Sequence, residues 1–214
     1  STNDTAGGVG VQITANNVTI DGLTLDGDNT ALSGGTLMNG ADSNAAYGLY
    51  ADSVSGITIR NTIFKTFTTF GVLFVETNGL HNSIEHNLFD NFPANTVFSS
   101  PRVVALLNNA YVDVMYNTFR RVSVGVYTQN FSNAGPTSTI SYNTISSYRS
   151  GIWHNLQSFN ATPLSIIGNT LTKESTSTNN YAIWIMSLQG TTGVTIQANT
   201  ISSSYAGYVL WNNP

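Results

Sequence analysis

Ile140-Ser141-Tyr142-Asn143-Thr144-Ile145 recurs along this chain, and a recurring short unit leaves few folds to choose from. Aligned on the asparagine, it returns as Ile84-Glu85-His86-Asn87-Leu88-Phe89, Val114-Met115-Tyr116-Asn117-Thr118-Phe119, Ile166-Ile167-Gly168-Asn169-Thr170-Leu171 and Ile196-Gln197-Ala198-Asn199-Thr200-Ile201. The asparagines at 87, 117, 143, 169 and 199 are 30, 26, 26 and 30 residues apart. Two earlier copies read as one residue shorter: Ile59-Arg60-Asn61-Thr62-Ile63, and Ile20-Asp21-Gly22 with glycine in place of asparagine.

Each unit carries strand signals. An alternating run leads into the asparagine, as in Val18-Thr19-Ile20, Ile57-Thr58-Ile59, Val112-Asp113-Val114 and Val194-Thr195-Ile196. Period-two alternation places Val and Ile on one face and Thr, Ser or Asp on the other. A second run starts on a small residue: Gly48-Leu49-Tyr50, Gly71-Val72-Leu73, Gly125-Val126-Tyr127, Gly151-Ile152-Trp153, Ala182-Ile183-Trp184 and Gly207-Tyr208-Val209, with Val103 to Leu107 filling this place in one copy. A short piece after the asparagine supplies a third strand. Three short strands per unit, with no helical periodicity, predict an all-β, right-handed parallel β-helix. It would have seven to eight coils and form a single domain over residues 1–214, with repeats from about 10 to 212. Stacked asparagines at 61, 87, 117, 143, 169 and 199 would form a ladder, because asparagine tolerates a left-handed bend and its amide bonds neighbouring backbone.

Composition narrows the function. Only 8% of residues are charged, against about 25% in an average domain. With net charge −4 and seven Lys plus Arg, the chain lacks the basic surface that nucleic acid requires. There is no cysteine to form disulfides. No apolar run reaches the roughly 18–20 residues of a membrane span, and residues 1–8 show no signal peptide. The hydroxyl- and amide-rich surface, and sequons at Asn3, Asn17, Asn130 and Asn160, point to an extracellular or cell-surface protein already freed of its leader.

The Ile-x-x-Asn-x-Ile repeat followed by Gly-Val-x strands resembles the parallel β-helix repeats of the pectate-lyase-like superfamily, NosD-type proteins in particular. That resemblance spans nearly the whole chain and implies the fold. The superfamily includes polysaccharide lyases, epimerases and hydrolases alongside adhesins and tailspikes. Its catalytic signatures do not occur in this chain: there is no Asp-Pro-His-Asp, no Gly-His-Gly and no Arg-Ile-Lys.

Candidate sites follow from strand alternation. The residue after each inward aliphatic points out, giving Tyr50, Leu73, Tyr127, Trp153, Trp184 and Val209. Tyr127, Trp153 and Trp184, with Tyr50 further along, form an aromatic strip suited to sugar rings unless the loops 131–138, 157–163 and 172–180 fold over it. Glu85 and Asp113, with His86 nearby, would be the pair for acid–base cleavage of a glycan. Asp21, Asp26 and Asp28 cluster the oxygens that Ca2+ takes, without EF-hand spacing; no other cofactor is expected. Lys65, Arg121 and Lys173, four residues after their asparagines, would make a basic stripe, while His154 leans inward and His81 sits in a turn.

The expectation is a non-enzymatic stalk, adhesin or filament subunit that contacts polysaccharide through its aromatic strip. Having no capping helix before its first strand, it would stack end to end or continue a longer chain. The alternatives are a lyase, epimerase or hydrolase of uronic-acid glycans, or a periplasmic NosD-like accessory protein.

Overall fold

The computed structural model describes residues 8–76, 81–94, 101–108, 110–130, 137–156, 163–174, 181–187, 193–202 and 208–212. They form a parallel β-solenoid with three faces, and no helix among the described residues. About four turns are supported, not the seven to eight coils expected. The strands stack, but most connections that would close those coils pass through residues outside the described ones.

The middle face is a seven-stranded sheet of the alternating runs: Thr19–Asp21, Thr58–Arg60, Asn82–Glu85, Val112–Met115, Ser138–Ser141, Leu164–Ile167 and Val194–Gln197. The flank face stacks Val9–Ile13, Tyr47–Asp52, Phe70–Val75, Arg102–Leu107, Tyr181–Ser187 and Tyr208–Asn212. The third face stacks Thr24–Asp26, Ile63–Lys65, Leu88–Phe92, Thr170–Lys173 and Thr200–Ile201. Two 13-residue strands, Thr118–Asn130 and Thr144–Leu156, run through both of these faces and join them into one sheet. The long insertion at 26–46 carries an antiparallel hairpin, Thr36–Met38 with Ala41–Ser43.

Alternation decides what is inside. Ile59, Ile84, Val114, Ile140 and Ile166 of the middle face are fully buried, as are Val72, Val126, Ile152 and Ile183 of the flank. Phe64, Phe89 and Phe119 of the third face stack ring on ring at 5.0 and 4.8 Å. Each such side chain contributes about 1.5–3 kcal/mol by leaving water. The small residue that opens each flank strand marks a tight corner. A Cβ on Gly125 would sit 2.6 Å from Gly151 O and 2.8 Å from Ile145 Cγ2, so the corner closes only without one.

The bend before the third face differs from expectation. The left-handed residue is not the asparagine but the one before it: Gly22, Asn61, His86, Tyr116, Tyr142, Gly168 and Ala198, with φ between 50° and 73°. Asn61 therefore belongs to this column and not to the ladder. Register confirms the shift, since Ile59 pairs with Ile84 and Ile63 with Leu88; the slot of Asn87 is filled by Thr62. The early copies are not shorter; they carry another residue in the ladder slot.

From Asn87 onward the ladder is continuous. Asn117 Oδ1 accepts from the Asn87 backbone N–H at 2.9 Å and from Asn87 Nδ2 at 3.0 Å. Asn117 Nδ2 donates back to Ile84 O and forward to Asn143 Oδ1. The same pattern links Asn143 to Asn169 and Asn169 to Asn199. Asn87, Asn117, Asn143 and Asn169 are buried, so these bonds satisfy amides that have no water to turn to.

Candidate functional site

Strand register brings one outward column to the flank: Gln12, Tyr50, Leu73, Ala105, Tyr127, Trp153 and Trp184, with Val209 paired to Trp184 in backbone register. Beside it run Val9, Tyr47 and Phe70. Together Phe70, Leu73, Ala105, Val124 and Tyr127 form a second apolar cluster outside the solenoid core, with Tyr47, Tyr50, Val75, Leu107 and Trp153 packed on it.

The strip does not present flat faces along its length. Trp153 lies on Trp184 with centroids 4.6 Å apart and planes 10° apart, so each ring covers a face of the other. Tyr127 meets Trp153 edge-on at 5.0 Å and is only 2% exposed, contrary to the open aromatic face expected from alternation. The reason is Arg102, whose guanidinium lies 4.2 Å over the Tyr127 ring and 5.3 Å over Trp153, with Arg149 at 5.8 Å from the same indole. Burial pulls the Arg102 guanidinium below its ordinary value, with Arg149 adding to that direction and Tyr127 opposing it. The indole Nε1 atoms of Trp153 and Trp184 are buried without a hydrogen-bond partner. Residues 131–136, 157–162 and 175–180, expected as cover, lie outside the described ones.

The strip opens where aromatic stacking stops. Tyr47 stacks on Phe70 at 5.5 Å, but its neighbour in the preceding coil is only Val9. Tyr50 stands between Gln12 and Leu73, so no aromatic ring adjoins it in its column. Val9, Tyr47, Tyr50, Leu73 and Val75 line an open cavity of about 230 Å3. At its rim Tyr50 Oη donates to Asp52 Oδ2 at 3.0 Å. Desolvation, then the Asp52 carboxylate, raises the Tyr50 hydroxyl above its ordinary value, so it stays a donor at neutral pH.

No family model, no curated protein and no solved structure matches this chain. The parallel β-solenoid stands on its own geometry, without a family assignment.

The other expected constellations are not assembled. Glu85 pairs in register with Met115, whereas Asp113 stands opposite Ser83, two residues along the strand. Asp113 is engaged elsewhere, at 2.9 Å from His81 Nε2 and accepting from the Thr139 N–H. His86 stacks on Tyr116 at 5.2 Å. Asp21 and Asp26 lie on different faces, each paired one coil on. Asp21 takes Asn61 Nδ2 and Arg60 Nε, which hold its carboxyl below the usual range. Asp26 lies 2.7 Å from Lys65 Nζ and accepts from Thr66 and the Asp28 N–H; burial opposes this, but the contacts win and its carboxyl is lowered. No group of three metal-binding side chains occurs among the described residues.

The basic stripe fails on register. Lys65 is opposite Asp90, and Asp90 is opposite Arg120, not Arg121. Arg121 is displaced into a left-handed corner at φ 53°, while Lys173 pairs with Ser147. Asp90 binds both Arg120 and Arg121, and Glu174 accepts from the Arg121 N–H and from Ser146. The open groove of about 580 Å3 that these five residues line balances two guanidiniums against two carboxylates.

A second stack escaped sequence reasoning. His86, Tyr116 and Tyr142 pile up at 5.2 and 5.3 Å on the left-handed column, with Tyr116 49% and Tyr142 53% exposed. Its signal was the ring-bearing residue before the asparagine in three consecutive copies.

Proposed function

We propose that this chain is a structural β-solenoid of an extracellular or cell-surface protein, a stalk- or filament-type element without catalytic activity, which contacts polysaccharide at the Tyr47–Tyr50 end of its flank. One observation carries the reading. Along the flank, Trp153 and Trp184 cover one face of each other and Arg102 covers Tyr127, whereas at Tyr50 and on the Val9 side of Tyr47 a cavity opens beside the Tyr50–Asp52 hydrogen bond. A pyranose offers an apolar face for such a ring and hydroxyls for the polar rim, which is the combination small-ligand sites provide. The ion pairs Arg60–Asp21, Lys65–Asp26 and Arg120–Asp90 tie one coil to the next, which supports a scaffold.

Self-association belongs to the same proposal. The inward side chains Val11, Val18, Ile20 and Leu25 are only partly buried, so a second copy or a further coil would gain by covering them.

Affinity electrophoresis against neutral and uronate polysaccharides tests the contact. Tyr50→Ala should abolish retardation, while Trp184→Ala should leave it in place. Equal loss in both variants, or retardation by neither class of polymer, would refute the site. Release of unsaturated or reducing ends from the same polymers would refute the non-enzymatic reading. Sedimentation velocity across a range of concentrations tests self-association, and a single monomeric boundary throughout counts against it.

A further inference from the structure

His154 is the one imidazole that the strand pattern turns inward. It shares a core column with Ala51, Phe74, Leu106, Thr128 and Ile185, and is 0% exposed. Its Nδ1 meets the Thr128 hydroxyl, and its Nε2 is buried without a partner. His154 borders a void of about 10 Å3 among Leu106, Ala110, Thr128, Ser138, Pro163 and Leu164, room for one water at most. The Ser138 hydroxyl there already donates to Ala110 O.

A neutral imidazole fits this place and an imidazolium does not. No carboxylate is among the described walls of the void. The charged side chains on the packed strands are Arg102, Arg120, Arg121 and Lys173, with Arg149 on the strand of His154 itself. All are cationic, and the Glu174 carboxylate just past Lys173 accepts from Ser146 at the opposite end of the His154 strand. Ser138–Ser141, Leu164–Ile167 and Tyr181–Ser187 carry no charge. A buried ion without a counter-charge is among the costliest things a core can hold.

We propose that His154 makes the coils around it acid-labile: a proton on Nε2 has no acceptor inside, so the Thr144–Leu156 strand must part from its neighbours to hydrate it. Desolvation accordingly pushes the imidazole down to about 4 from 6.5. A folded-state value below the unfolded one means that the unfolded chain takes the proton first. Stability is then unaffected well above pH 6.5 and is lost as pH falls from there towards 4. The folded-to-unfolded ratio should drop by on the order of 100-fold over that window through this residue alone. Trp153, the neighbour in sequence, and Trp184, stacked on it, report the opening.

The test follows tryptophan fluorescence and near-ultraviolet circular dichroism from pH 7 to pH 4, with denaturant melts at pH 7 and pH 5. The proteins are wild type, His154→Gln, and the double variant Thr128→Val/His154→Leu, which removes both partners of the hydrogen bond. The wild type should lose its tryptophan signal on acidification, and both variants should hold it to lower pH. Equal acid midpoints in all three would overturn the proposal. Should the variants not fold, 15N spectra of the wild-type imidazole still decide. A ring that titrates near 6.5 with the tryptophan signal unchanged sinks the idea; a ring that stays neutral until the signal collapses upholds it.

Discussion

The asparagine ladder and the Trp153–Trp184 pair are both columns that repeat once per coil, yet they end differently. Each ladder amide from Asn87 to Asn169 donates to a backbone carbonyl of the preceding coil and accepts from the backbone N–H in the ladder slot of that same coil. The indoles gain area and stacking, but their Nε1 donors are buried and unpaired. A buried donor without an acceptor forfeits about 1–3 kcal/mol. The ladder is therefore a finished piece of scaffold, and the flank trades polar satisfaction for packing. Repetition alone does not make two columns equivalent; what each side chain can bond within one coil spacing does.

The sharpest way to break this comparison is Asn143→Ala. It strands the Asn117 backbone N–H in the core and removes a donor to Val114 O, so a loss of about 3–5 kcal/mol is expected in urea melts. A loss no larger than that of an ordinary surface substitution would end the claim that the ladder carries stability. Gly151→Ala comes next. Its Cβ would lie 2.8 Å from Ala182 O and against Leu171, for an expected loss of about 1–3 kcal/mol in the same assay.

Thr62→Asn should act in the opposite direction. It would extend the ladder by one rung and offer the Leu23 N–H a better acceptor than the Thr62 hydroxyl at 3.4 Å, for a gain of about 1 kcal/mol. Destabilisation would mean that the early coils differ from the later ones by more than this residue. The smallest effect belongs to Trp184→Phe, which keeps a stacked ring on Trp153 and deletes an unpaired donor. Its melt should fall within about 0.5 kcal/mol of wild type. A large loss there would show that the indole N–H is satisfied after all.

How far the candidate site was legible follows the same division. The outward column of Tyr50, Tyr127, Trp153 and Trp184 was readable, because alternation within a strand fixes direction. That Tyr127 is sealed and Tyr50 is not was unreadable, since it depends on Arg102 reaching across from another coil and on Val9 and Gln12 being small or polar neighbours. Glu85 with Asp113 failed as a pair because two residues of offset along a strand separate them, an offset already readable in the repeat alignment, where Glu85 stands with Met115.

By itself, then, the sequence determined the parallel solenoid, the inward aliphatic columns, the small corner residues and the ladder from Asn87 to Asn199. All of these repeat at one period and need only local alternation and stacking to be inferred. Tertiary structure decided which residue bends left-handed, that Thr62 and not Asn61 holds the ladder slot, and where an aromatic face remains open. Those outcomes depend on register between coils, and register is set by hydrogen bonds and side-chain contacts between residues about 25–40 positions apart.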